Sequence, residues 1–195
     1  QKALGAVFGL NYGWEHPLWY AAEGVEARED YGFERQNWFN PVRDECLALR
    51  QGVGVLDVSN FAKYEIKGAG SAEWLDLLVA NKVPRKTGRT CLTPLLGVRG
   101  GIAGDFTITM LDEEHYLIIG SGMAERYHLR FFNKIPRPAG VSFEAKTTSW
   151  AGFNVAGPKS RELLSRLTNE DLSNESFPFM HSRQMDMPHS NNTHE

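Results

Sequence analysis

Three strand-like runs lie close together between residues 91 and 119, at 91–96, 105–111 and 115–119. Phe106, Thr107, Ile108 and Thr109 are aromatic or β-branched, the types that suit a pleated, half-buried surface. The stretch "VRGGIAGDFTITM" enters the second run through Gly100, Gly101 and Gly104, which let a backbone turn tightly or approach a ligand closely. Strands in runs, separated by single helices, define an α+β chain with largely antiparallel sheet rather than regular βαβ alternation.

The helices read from spacing and caps. "NPVRDECLALRQGVG" predicts a helix closed near Gly52. "SAEWLDLLVANKV" predicts a second, with Trp74, Leu75, Leu77 and Leu78 at helical spacing, Ser71 as N-cap and Glu73 in its first turn. "SGMAERYHLRFF" predicts a third with Ser121 as its cap, and "GPKSRELLSRL" a fourth after Gly157 and Pro158. Between the first two, "VGVLDVSNFAKYEIKG" reads as a short buried run, a turn at 57–60 and an alternating strand at 61–66. "VSFEAK" and "WAGFNVAG" are further strands. Residues 1–40 are rich in aromatics but lack a period, so they are expected to lie as an extended arm over a core, with Trp14, Trp19 and Trp38 mostly buried. The polar end, 186–195, is expected to be a disordered tail.

Charge and composition exclude several functions. A net charge of −3 argues against a nucleic-acid binder, which needs a basic excess. No apolar run is long enough to span a bilayer. Cys46 and Cys91 are too few and too far apart for a disulfide framework, which points to a reducing compartment. His16, His115, His128, His181, His189 and His194 form no HxH or HxxH pair, so no metal site is expected. "GVRGGIAG" lacks both the G-x-G-x-x-G spacing and a P-loop ending. Arg126 and Arg130 read as a solvated helix face. Asp105 has two readings at this point: a turn-former bonding its own backbone, or a carboxylate presented at the mouth of a site.

Six motifs occur in order along the chain: "YGWEHPLWY", "FERQNWFNPVRDEC", "GVLDVSNFAKYEIKG", "TPLLGVRGGIAGDFTIT", "YLIIGSGMAERYHLRFF" and "AGFNVAGPKSRELLSRLT". Together they resemble the C-terminal, folate-binding region of dimethylglycine/sarcosine dehydrogenase-like flavoproteins. That region is a module of the glycine-cleavage T-protein (aminomethyltransferase) superfamily. The resemblance implies the first domain of the aminomethyltransferase fold over 41–185, with 1–40 leading in from a flavin half. It implies that Asp105 is the catalytic acid facing the pterin of tetrahydrofolate, where a carboxylate supports proton transfer or a developing iminium. Leu92, Phe61, Ile119 and Ser121 match positions around the same ring system. By type alone, Leu92, Phe61 and Ile119 suit ordinary core packing equally well, and Ser121 suits a helix cap.

The implied function is one-carbon transfer to tetrahydrofolate, giving 5,10-methylenetetrahydrofolate. FAD belongs only to the upstream half, and a pterin-anchoring glutamate is expected downstream of residue 195. The alternative is a non-catalytic interaction or regulatory domain of the same fold. The expected partners are a folate and a flavin dehydrogenase part or a second copy of the chain, with neither nucleic acid nor membrane. The compartment is the cytoplasm for a bacterial source and the mitochondrial matrix for a eukaryotic one.

Overall fold

The computed structural model describes residues 1–11 and 13–187. In chain order its first elements are β1 (Ala6–Asn11), β2 (Trp14–Tyr20), α1 (Phe39–Gln51), β3 (Gly54–Asp57), β4 (Ala62–Lys67) and α2 (Ser71–Leu78). There follow β5 (Thr90–Leu96), β6 (Ile102–Asp112), β7 (His115–Gly120), α3 (Glu125–Phe132), β8 (Ser142–Ala145), β9 (Phe153–Ala156) and α4 (Ser160–Leu164). The chain divides into two compact units, Gln1–Gly54 with Val155–Ser160, and Val55–Asn154 with Arg161 onward. The tail expected from 186 lies, from 188, outside the described residues.

The larger unit is built on a five-stranded sheet in the order β5-β6-β7-β4-β8, antiparallel at every pairing. The α+β class is therefore the observed one. Because side chains alternate across a strand, each row of cross-strand partners belongs to one face. Cys91, Ile108, Ile118, Tyr64 and Ala145 form one such row. On this face Tyr64, Ile66, Phe106, Ile108, Tyr116 and Ile118 are buried together with Trp74 and Leu75 of α2 and Phe132 of α3. Each large side chain so buried contributes roughly 1.5–3 kcal/mol of hydrophobic stabilisation. The polar tips of the aromatics find partners: Trp74 Nε1 donates to the Ile135 carbonyl at 3.2 Å and Tyr116 Oη to that of Pro84 at 3.0 Å.

Three local expectations are corrected. Ser71 is not the N-cap of α2; Gly70 is. Ser71 instead gives its amide and hydroxyl to Glu114 Oε2, at 3.1 and 2.8 Å, so a carboxylate from the β6–β7 turn caps the helix. Gly104 is not part of the turn but lies inside β6. The run before the 57–60 turn is not buried, since Val55 and Leu56 are exposed: β3 pairs with the four-residue β9 alone, outside the large sheet.

The outer edge of the sheet, β5, is satisfied on its free side. Ala80 N donates to the Pro94 carbonyl at 2.9 Å, Asn81 Nδ2 to that of Leu92 at 2.8 Å, and Thr90 N to that of Met180 at 3.0 Å. Pro94 has no N–H to leave unpaired, which suits an edge position. These contacts remove β5 as a template for another strand.

In the smaller unit, the segment expected as an extended arm folds back as the β1–β2 hairpin. Val7, Trp19 and Ala21 are buried and pack with Trp38 and Val42, and Trp19 Nε1 donates to Glu29 Oε1 at 2.7 Å. Trp38 is half-buried. Trp14 departs from expectation, being 79% exposed. It pairs with Asn11 at the far end of the hairpin, beyond the reach of the Trp19 cluster. α1 ends where the spacing placed its end, with the Gly52 amide bonded to the Ala48 carbonyl at 2.8 Å.

Candidate functional site

The second face of the large sheet carries a concavity of about 370 Å3. Leu92, Thr107 and Ile119 form a cross-strand row over β5, β6 and β7, and all three line it. Asp105 lies two residues before Thr107, so it stands on the same face and also lines the cavity. The turn before β4 adds Asn60 and Phe61, and the short 3-10 turn Gly122–Ala124 after β7 adds Ser121, Gly122 and Met123. All five residues singled out in the sequence, Asp105, Leu92, Phe61, Ile119 and Ser121, thus border one space, although they come from four segments of the chain.

Their burial separates them from the core. Leu92 is 60% and Phe61 43% exposed, and Ile119 is half-buried, so the first two present apolar surface to the cavity rather than to the interior. Ser121 precedes the 3-10 turn, but its hydroxyl makes no capping bond and is left to the cavity. The Asp105 carboxylate accepts no hydrogen bond and joins no ion pair among the described residues. It does not bond its own turn. The turn closes without it, through Gly97 N to the Gly101 carbonyl and Gly100 N to the Gly97 carbonyl, both at 2.8 Å.

The floor is the sheet backbone around Phe106, whose ring lies behind it on the core face. That ring lies over two backbone positions that tolerate no side chain: a Cβ on Gly104 would stand 2.9 Å from Phe106 Cζ, and one on Gly120 2.6 Å from its Cδ1. Beneath it, the His128 ring lies edge-on at 4.6 Å between centroids and Phe132 at 5.5 Å. Burial pushes the His128 imidazole below its ordinary pKa, against the opposing charge of Glu125, and raises the Tyr64 phenol. Their polar atoms, His128 Nδ1 and Tyr64 Oη, are 3.2 Å apart. Behind the floor, on the core face, thus lies a stack of rings.

Sequence reasoning missed Asn60, Thr107 and Met123. A period of two counted from Asp105 finds Thr107 directly. Asn60 stood at the end of a predicted turn with nothing to give its direction, and Met123 entered only through the fold of the 3-10 turn. The arrangement suits a planar ring: apolar walls of Leu92, Ile119, Phe61 and Met123, and one unpaired carboxylate to receive an N–H or a cationic nitrogen. No helix among the described residues is long and apolar enough to cross a membrane.

The chain and its antiparallel α+β fold match a known class. The chain belongs to the GCVT N-terminal domain family, whose model matches residues 1–192. It is similar to mitochondrial dimethylglycine dehydrogenase of Mus musculus, 34% identical over 181 residues, covering 92% of this chain and 21% of that protein. It is also similar to 4-methylaminobutanoate oxidase (formaldehyde-forming) of Paenarthrobacter nicotinovorans, 35% identical over 184 residues, covering 94% of this chain and 22% of that protein. The chain therefore spans about a fifth of the length of these relatives. In fold it resembles the glycine cleavage system aminomethyltransferase T of Bartonella henselae, with a TM-score of 0.71, 22% identity, and coverage of 92% of this chain and 44% of that one.

Proposed function

We propose that the cavity binds the reduced pterin of tetrahydrofolate, and that this domain serves one-carbon transfer within a dimethylglycine- or sarcosine-dehydrogenase-like enzyme. One observation carries the reading: five residues matched by motif, from four chain segments, converge on one concavity that contains an unpaired carboxylate. The volume, about 370 Å3, is at the lower end of the ~300–1,000 Å3 typical of small-molecule sites. It fits a bicyclic head group better than a whole folate.

Bound tetrahydrofolate would supply two amine nitrogens that condense with a carbon at the formaldehyde oxidation level, with release of water. The chain's own residues orient and exclude. Leu92, Ile119 and Phe61 cover the ring faces, and the sheet backbone closes the cavity from below. Asp105 accepts a hydrogen bond from a ring nitrogen and holds or passes a proton there. Ser121 offers a second, neutral hydrogen bond at the rim. The carbon would come from amine oxidation at a flavin in another part of the full protein, reached through residues 1–40, with residues 41–185 as the folate part. In this reading the domain is catalytic rather than purely regulatory, because its acid is unpaired.

Amide chemical shifts during titration with millimolar tetrahydrofolate test it. Changes should concentrate at residues 60–61, 92, 105–107 and 119–123. Asp105→Asn should weaken the fitted affinity about tenfold, the low end for a charge-assisted bond because the group is exposed. An absence of shifts, shifts elsewhere, or equal affinity of the Asn variant would overturn the reading.

A further inference from the structure

We infer that Lys63 is a positioning residue for the cavity, its buried ammonium holding the loop that carries Asn60 and Phe61 at the mouth. This rests on reading the cavity as the binding site. Lys63 is only 5% exposed, and a buried lysine ordinarily meets a carboxylate. Here Nζ donates instead to two main-chain carbonyls, of Ser59 at 2.8 Å and of Phe61 at 3.0 Å. Such charge-assisted bonds are the stronger kind, and both end on one short loop.

The location adds to the argument. Lys63 pairs with Ile119, so it extends the row of Leu92, Thr107 and Ile119 along the same face of the sheet. The first half of the loop has fixings of its own. Ser59 N donates to Asp57 Oδ1 at 2.8 Å, Gly152 N to Ser59 Oγ at 3.0 Å, and Val58 N to the Gly152 carbonyl at 2.8 Å. The second half has the Phe61 N bond to the Val58 carbonyl, at 3.0 Å, and Lys63. That half also meets the opposite wall: a Cβ on Gly122 would overlap the Asn60 carbonyl oxygen. The turn bearing Ser121 and Met123 thus packs backbone to backbone on the loop, and the Lys63 ammonium sets where the two walls stand.

Amide hydrogen exchange and ligand titration on the wild type, Lys63→Met and Lys63→Arg test this. Lys63→Met should speed exchange at residues 59–61 about tenfold, while Ile108 and Ile118 in the sheet keep their protection; Lys63→Arg, which keeps charge and donors, should restore most of it. Lys63→Met should also weaken tetrahydrofolate binding several-fold in the wild type, yet add less than about twofold on top of Phe61→Ala. Unchanged exchange at 59–61, a uniform rise through the sheet, or independent effects of the two substitutions on binding would overturn the proposal. If the wild type shows no tetrahydrofolate shifts, the ligand reading falls and the exchange pattern still decides the role of Lys63. If Lys63→Met does not fold, the wild-type ammonium decides it. A slowly exchanging 15Nζ signal coupled to the Ser59 and Phe61 carbonyls supports the role, and a fast-exchanging one overturns it.

Discussion

The two faces of the five-stranded sheet use the same strands and the same backbone bonds but put them to different ends. On one face Tyr64, Ile66, Ile108, Tyr116 and Ile118 are each fully buried, with α2 and α3 adding Trp74, Leu75 and Phe132. On the other stand Leu92, Asp105, Thr107, Ile119, Lys63 and Glu65. Strand β4 shows the contrast most sharply, because five of its six residues are buried but only alternate ones are apolar. Its charged side is satisfied rather than dry. Glu65 takes Lys67 at 2.8 Å and His115 at 2.9 Å on Oε1, with Lys146 at 3.6 Å from Oε2. One face supplies the stability that lets the other keep an unpaired carboxylate in the open.

The difference can be broken by substitution. The largest loss is expected from Phe106→Ala, which removes a ring at 1% exposure from between two glycines and the His128 stack; about 3–5 kcal/mol is typical of such a truncation, read as a fall in the urea midpoint at unchanged slope. Glu65→Gln should cost less, about 1–3 kcal/mol, because Lys67 stays half-exposed and Lys146 keeps Glu144 at 2.7 Å.

Acid should separate the faces in sequence. Burial holds His128 below its ordinary pKa, so its contribution to stability is complete above about pH 6.5 and is lost as the pH falls from there. Burial would raise Glu65, but the bonds and charges of Lys67 and His115 prevail and hold it low; its contribution is complete above about pH 4.3 and is lost below. Urea midpoints followed with pH should therefore fall in two stages. His128→Gln should flatten the upper stage and Glu65→Gln the lower; a variant that flattened the wrong stage would refute the assignment.

The smallest effect on folding belongs to the residue with the largest expected effect on binding. Asp105→Asn should change stability by less than about 0.5 kcal/mol, as expected for an exposed group without partners. A larger fall in its urea midpoint would mean that the carboxylate holds the fold after all.

Much of the apolar face could be read from the chain. The alternation of Phe106, Ile108 and Met110, and of Tyr116 and Ile118, marks the strands and their inward sides, and the spacing of Trp74, Leu75 and Leu78 marks the helix that covers them. The antiparallel α+β class followed from the grouping of those runs. Elsewhere local pattern misled. Ser71 has the type of a cap, but a capping partner can come from a distant turn, as Glu114 does. Trp14 and Trp19 look alike in composition, and only the hairpin register puts one in a cluster and the other in solvent. Strand β4 alternates as a half-buried strand should, and nothing local reveals that Lys63 and Glu65 are buried as well.

The candidate site divides along the same line. Motifs in order brought Asp105, Leu92, Phe61, Ile119 and Ser121 to notice one at a time, because a motif records residue type and spacing within a single segment. Whether Leu92 and Phe61 were core or wall was undecidable from type, since an apolar side chain suits both. Cross-strand register made that decision by setting Leu92, Thr107 and Ile119 side by side and Asp105 on their face. Closing the cavity took a contact between residues far apart in the chain, the Asn60 carbonyl against Gly122. Periodicity, acting over a few residues, determined the strands and their inward sides; the cavity depends on which strand lies beside which, and that is settled only when the whole sheet packs.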